Sequence, residues 1–259
     1  MSKHVIIAGE APYVDILRDL CAAKGFRVDV HHIDELDNQE NLDKLVDDAA
    51  RCDIFIESLN ESAASKMWLV EGVEINLKDQ APILTNALCA SATEVASWCE
   101  NPRRVVGFGM LPPQTPPGKI EFAPSLQADI QMATVAREFL ERVGFEIVRV
   151  PDTPGLVRAR LLLTLINEAT FALDEKIASA QDIDKALQSV CKLPRGPLAW
   201  ADEIGLDIVL GVLLGMYDFW GEERYRPAPL LKQKVRAGHL GKKSGQGFFV
   251  DPLVVQPRI

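Results

Sequence analysis

The feature that most constrains this chain is the alternation of short apolar runs with amphipathic stretches over residues 5–150. Val5–Ala8, Phe26–Ile33, Ile54–Ile56, Ile83-Leu84, Val105–Phe108 and Glu146–Val150 have the content of strands. Between them, Val14–Ala23, Glu40–Ala50, Ala64–Ile75 and Ala128–Val143 carry helical periodicity. Strands separated by helices cannot close as hairpins. Each return is a crossover, so the sheet is mostly parallel and covered on both faces. After the Pro151–Gly155 segment the strand signal ends. Arg160–Lys176, Ala180–Cys191, Asp207–Phe219 and Leu230–Ala237 read as helices, and Ser179 with Asp182 forms a capping-box-like start. The expected fold is α/β, with a Rossmann-like doubly wound parallel sheet over residues 1–152 and an all-helical domain over 153–259.

Composition narrows the partners. With 259 residues, 47% hydrophobic and 25% charged, the chain can bury a sizeable core. A net charge of −9 without a basic run argues against nucleic acid or an anionic membrane. The most apolar stretch, Ile208–Trp220, holds Asp218 and two glycines and is too short to span a bilayer. The start of the sequence lacks the apolar core and cleavage site of a signal peptide. Five cysteines (21, 52, 89, 99 and 191) are scattered without a Cys-x-x-Cys pair. They read as buried thiols of a cytoplasmic protein rather than a disulfide frame or a metal site. His31-His32 is no metal pair either, because neighbours on a strand point to opposite faces.

The first strand-to-helix turn resembles a dinucleotide-binding unit in spacing. Gly9 ends the first strand and Gly25 precedes the second. Three glycines normally let the backbone approach a pyrophosphate at a helix N-terminus. Here only Gly9 is present; the other two positions are Ala11 and Val14, with Pro12 between them, and the ribose-binding acid falls on His32, with Asp34 two residues on. These residues describe a Rossmann-like fold without a tight nucleotide seat.

The second half carries a specific resemblance. Its residues are Pro154-Gly155-Leu156-Val157, Ile166–Ala169, Ser179–Asp184, Gly196–Leu198, Ala201-Asp202, Ile204–Asp207, Tyr225–Leu231, Gly238, Leu240-Gly241, Lys243–Gly245 and Gly247-Phe248. Over about residues 150–250 they resemble the 3-hydroxyacyl-CoA dehydrogenase family, of the 3-hydroxybutyryl-CoA dehydrogenase type. The resemblance implies a Rossmann domain, a helical dimerisation domain, NAD, and oxidation of an (S)-3-hydroxyacyl-CoA to the 3-ketoacyl-CoA.

Transferred residue by residue, the resemblance implies an altered site. The family's general-base histidine falls on Gly109, within Gly107–Pro113, and its partner glutamate on Glu121. The family's substrate-orienting serine falls on Leu88, and the asparagine after the interdomain Pro-Gly on Ala159. On the cofactor side Glu61, Lys66 and Asn86 match, beside Gly9. Lys66 also reads as a solvated charge and Asn86 as a turn cap. The family's helical hairpin after the second strand, part of its CoA handle, has no room between Asp34 and the Glu40–Ala50 helix.

Two functions follow. One is a degenerate member, a non-catalytic or structural subunit of a hydroxyacyl-CoA-oxidising complex with weak or absent NAD binding. It would pair as a homodimer, or as a heteromer with an intact family paralogue, through the helical domain, with acyl-CoA as a possible ligand. The other is an active NAD-dependent hydroxyacyl-CoA or related hydroxy-acid dehydrogenase in which Glu121 serves as base.

Overall fold

Seven strands join in one sheet in the order β2-β1-β3-β4-β5-β6-β7 in the computed structural model, which describes residues 3–111 and 118–249. β1 (His4–Gly9), β2 (Arg27–His32), β3 (Ile54–Ser58), β4 (Ile83–Asn86) and β5 (Val105–Gly109) are parallel. β1, β3, β4 and β5 are buried along their whole length, which is why they read as continuous apolar runs. Strand order reverses between β1 and β3, so a crevice lies at their carboxyl ends.

β6 (Gly118–Pro124) runs antiparallel to β5, and β7 (Phe145–Arg149) parallel to β6. The sequence reading has no strand over β6. Its glycine and proline ends hide a short apolar centre, and that centre pairs only because β5 and β7 flank it.

α1 (Tyr13–Ala23), α2 (Gln39–Ala49), α3 (Ala63–Glu74), α4 (Ala92–Ser97) and α5 (Ile130–Val143) make the connections. Asn38, Ser62, Ser91 and Asp129 cap the last four of these with side-chain oxygens that accept the N–H groups of Glu40, Ser65, Glu94 and Gln131. α4, at six residues, is too short for periodicity to reveal. Between β2 and α2 the chain makes a single 3-10 turn, Ile33–Glu35, and no helical hairpin.

One compact unit ends at Val157 and a second begins at Arg158. The second holds α6 (Arg158–Asp174), α7 (Ala180–Cys191), α8 (Pro197–Ile204), α9 (Leu206–Trp220) and α10 (Pro229–Arg236), and no strand among the described residues. α8 was not legible as a helix. Ser179 caps α7 as expected, accepting the Asp182 N–H at 3.2 Å. α9 buries Ile208, Val209, Val212, Leu213 and Met216 within this unit and leaves Leu214 and Phe219 exposed. Among the described residues, no helix is long and apolar enough to cross a membrane.

Candidate active site

The crevice at the ends of β1 and β3 is closely built. Gly9 pairs with Ser58, and a Cβ on Gly9 would stand 2.9 Å from the Ser58 carbonyl carbon and oxygen, so only glycine fits. Glu10 follows, buried, and its carboxylate accepts the Asn60 N–H at 2.8 Å. α1 begins at Tyr13 with Pro12 as its N-cap and no side-chain cap, and Tyr13 and Val14 are fully buried. Asp15 lies in the first helical turn. A pyrophosphate at this point needs free N–H groups and positive potential. Proline has no N–H to give, and Glu10 and Asp15 bring carboxylates to this turn. At the end of β2, half-buried His32 stands 3.8 Å from the Asp15 carboxylate.

Behind this edge lies a charged cluster that the sequence reading missed in part. Lys66 of α3 is fully buried, which corrects its reading as a solvated charge. Its Nζ contacts the Glu57 carboxylate at 2.5 Å, the Asn86 carbonyl at 3.1 Å and the Thr85 hydroxyl at 3.3 Å. Thr85 donates to the same Glu57 oxygen at 2.6 Å, and the other oxygen accepts the Leu59 N–H. Glu57 carried one signal in sequence, a charge closing the otherwise apolar run Ile54–Ile56. Asn86, read as a turn cap, instead braces two strands. Its Nδ2 donates to the Met110 carbonyl and its Oδ1 accepts the Met110 N–H, both at 3.0 Å. Glu61 sits apart from this cluster, exposed ahead of the Ser62 cap of α3.

On the far side of Asn86, Gly109 at the end of β5 stands opposite Glu121 of β6. A Cβ on Gly109 would lie 2.7 Å from the Leu156 Cδ1 and 2.8 Å from the Glu121 Oε2. The volume above this glycine is therefore taken by a leucine and a carboxylate. Glu121 is half-buried, and its Oε1 accepts the Val157 N–H at 3.0 Å.

Leu156 was not singled out as a site residue, because its contact with Gly109 is set by the turn after Pro154. It sits at φ 47° after Gly155 at φ 76°. A non-glycine residue in this region costs about 1–2 kcal/mol. Packing against Ala87, Ala123 and Val150 holds it there. Leu88 is fully buried, its N–H donating to the Asn86 carbonyl at 2.8 Å. Ala159 is buried in α6. Of the stretch around Gly109, Pro112 and Pro113 lie outside the described residues.

Four of the five thiols are unreactive by environment. Burial pushes Cys21, Cys52, Cys89 and Cys99 up to about 12, and Cys191 alone is exposed. Among the described residues, no group of three or more His, Cys, Asp or Glu side chains is placed to hold a metal ion.

In the helical unit the motif residues hold one another. Asn167 donates to the Arg226 carbonyl and accepts the Ala228 N–H, both at 2.9 Å. Asp184 accepts the Leu198 and Ala199 N–H groups at the start of α8, and Asp202 those of Phe248 and Phe249. A Cβ on Gly196 would collide with Asp184, and one on Gly247 with Asp202. Burial raises both carboxyls above the ordinary aspartate range, with the backbone N–H groups opposing it. These residues read as a catalytic family's motif, and their work within this unit is architectural.

Family models decide the ancestry. The 3-hydroxyacyl-CoA dehydrogenase NAD binding domain matches residues 22–153, and the C-terminal domain of the same family matches 155–251. The chain belongs to the 3-hydroxyacyl-CoA dehydrogenase family. The first match begins at residue 22, beyond Gly9 and Pro12. A probable 3-hydroxybutyryl-CoA dehydrogenase of Bacillus subtilis is 32% identical over 228 residues, spanning 88% of this chain and 79% of the relative. The 3-hydroxybutyryl-CoA dehydrogenase of Bradyrhizobium diazoefficiens is 31% identical over 204 residues, 79% of this chain and 70% of its own. Among solved structures, (S)-3-hydroxybutyryl-CoA dehydrogenase from Ralstonia eutropha superposes with a TM-score of 0.77 at 28% identity, covering 96% of this chain and 99% of that one. Mycobacterium tuberculosis FadB2 gives a TM-score of 0.80 at 25% identity over 96% and 99%. This family member keeps the family's two-part fold.

Proposed function

We propose that this 3-hydroxyacyl-CoA dehydrogenase family member has lost hydride-transfer chemistry and serves as a cytoplasmic structural subunit, pairing with itself or with an intact paralogue through its helical unit. The observation that carries the reading is the filled volume over Gly109. Where the family resemblance expects an imidazole, the chain has Gly109, and the Leu156 methyl and the Glu121 carboxylate stand within 3 Å of the position a Cβ would take there. Losing a positioned acid–base group removes about 10²–10⁴ in rate. The apolar Leu88 and Ala159, at the serine and asparagine positions, remove orientation besides. Pro12, Glu10 and Asp15 at the first turn favour weak or absent NAD binding, about −4 kcal/mol or less favourable.

The subunit role rests on the helical unit. Its buried scaffold of Asn167, Asp184 and Asp202 is intact, and α6 and α9 leave Leu161, Leu214 and Phe219 exposed. An obligate pair would bury about 2,000 Å² or more of largely apolar surface. Native mass spectrometry at low micromolar concentration tests this. A dimer, with itself or with a co-expressed intact paralogue, is expected; a stable 28.6 kDa monomer in both experiments refutes the subunit role.

A second reading has one observation in its favour. The Glu121 Oε2 lies toward the space above Gly109 and is a candidate base for a hydroxy substrate, acyl-CoA or otherwise. Turnover lost in Glu121→Gln would favour it.

A further inference from the structure

A groove lies in the first unit, away from the Gly109–Glu121 pair. In the parallel β6–β7 ladder Ile120 pairs with Ile147 and Phe122 with Arg149, so Phe122, Pro124, Ile147 and Arg149 share one sheet face. α5 packs against β7, and its residues Ile130, Ala133, Thr134, Arg137 and Glu141, spaced three and four apart, form the facing wall. The space between is a groove of about 800 Å³, lined also by Ser125 and Leu126. Gly109 pairs with Glu121 at the opposite end of the β5–β6 ladder from Pro124, so this groove is remote from that pair.

Three observations define what the groove takes. Phe122, Ile147 and Ala133 give it an apolar lining, and Leu126 and Ile130 beside it are 88% and 78% exposed. Ser125 is 6% exposed, yet its hydroxyl meets no hydrogen-bond partner among the described residues. Arg149, in a chain of net charge −9, pairs with no carboxylate among the described residues, while Arg137 has only the Glu141 carboxylate at 3.9 Å.

We propose that this groove is a binding site for a small amphipathic carboxylate, a medium-length acyl or comparable apolar acid. The chain would lie on Phe122, Ile147 and Ala133, and the anionic head would meet Arg149, Arg137 and the Ser125 hydroxyl. A guanidinium fork suits a carboxylate, and a volume of this size suits one small molecule. Glu141 opposes the head group only at the Arg137 end, which leaves Arg149 as the principal anchor. The site is independent of the proposed loss of hydride transfer.

Octanoate is the probe, titrated into the full chain by calorimetry, with octan-1-ol as its uncharged counterpart. The expected result is saturable binding at one site per chain, with octanol weaker by about tenfold. Arg149→Gln should weaken octanoate by about tenfold with an unchanged melting temperature, since the residue is exposed. Ala133→Trp should abolish binding by filling the groove. Should the tryptophan variant fail to fold, Arg149→Gln alone decides. Absence of saturable octanoate binding, equal affinity for octanol, or an affinity unchanged in Arg149→Gln would overturn the proposal.

Discussion

Replacing Lys66 by methionine tests the buried cluster behind the crevice, and its magnitude follows from the contacts. The ammonium is fully buried and holds Glu57, Asn86 and Thr85 from one point. Methionine keeps the stem's volume and removes the charge, which leaves the Glu57 carboxylate buried with only the Leu59 N–H and the Thr85 hydroxyl. Removing one partner of a buried pair costs about 3–5 kcal/mol, because the remaining charge stays desolvated. Neutralising the second partner as well, in Lys66→Met with Glu57→Gln, should recover most of that loss. Urea unfolding at neutral pH, followed by far-UV circular dichroism, gives both values from the midpoints. A loss under about 1 kcal/mol in the single variant, or a double variant no better than the single, would refute a buried charged pair at this position.

Three further outcomes follow from the structure. Gly109→Ala should destabilise by about 1–3 kcal/mol through overpacking, and Leu156→Ala in the same chain should relieve it, read again from urea midpoints. Burial lowers the pKa of His31, opposed in part by Asp48, so the unfolded chain takes up a proton there before the folded one does. Stability should therefore fall as pH drops below about 6.5, and His31→Gln should flatten that slope between pH 7 and 5. With four thiols pushed up to about 12, a thiol reagent at pH 8 should modify Cys191 quickly and leave the other four until the chain unfolds.

Sequence periodicity located the elements whose own residues decide them. β1, β3, β4 and β5 are apolar because they are covered on both faces, and α5 and α7 carry both a stripe and a cap. β6 escaped because its pairing is supplied by neighbours, and α4 because six residues hold too few turns to show a period. The residues proposed for the site could be named in the sequence, but their arrangement could not be read there. Gly109 and Glu121 could be named from the family pattern, but the leucine beside them is 47 residues from Gly109 and depends on a left-handed turn. Lys66 reads as an ordinary helix-surface cation until Glu57 and Thr85 are brought around it by two different strands. In the helical unit the motif was clear, whereas its role in bonding backbone N–H groups becomes visible only once Asp184 meets α8 and Asp202 meets Phe248.

The central claim, that the volume over Gly109 holds no working acid–base group, is tested most directly by mixing the purified chain with acetoacetyl-CoA and NADH and following NADH consumption. No rate above the buffer blank is expected at any enzyme concentration. Robust consumption that scales with enzyme and disappears in Glu121→Gln would contradict the account and make that carboxylate the base.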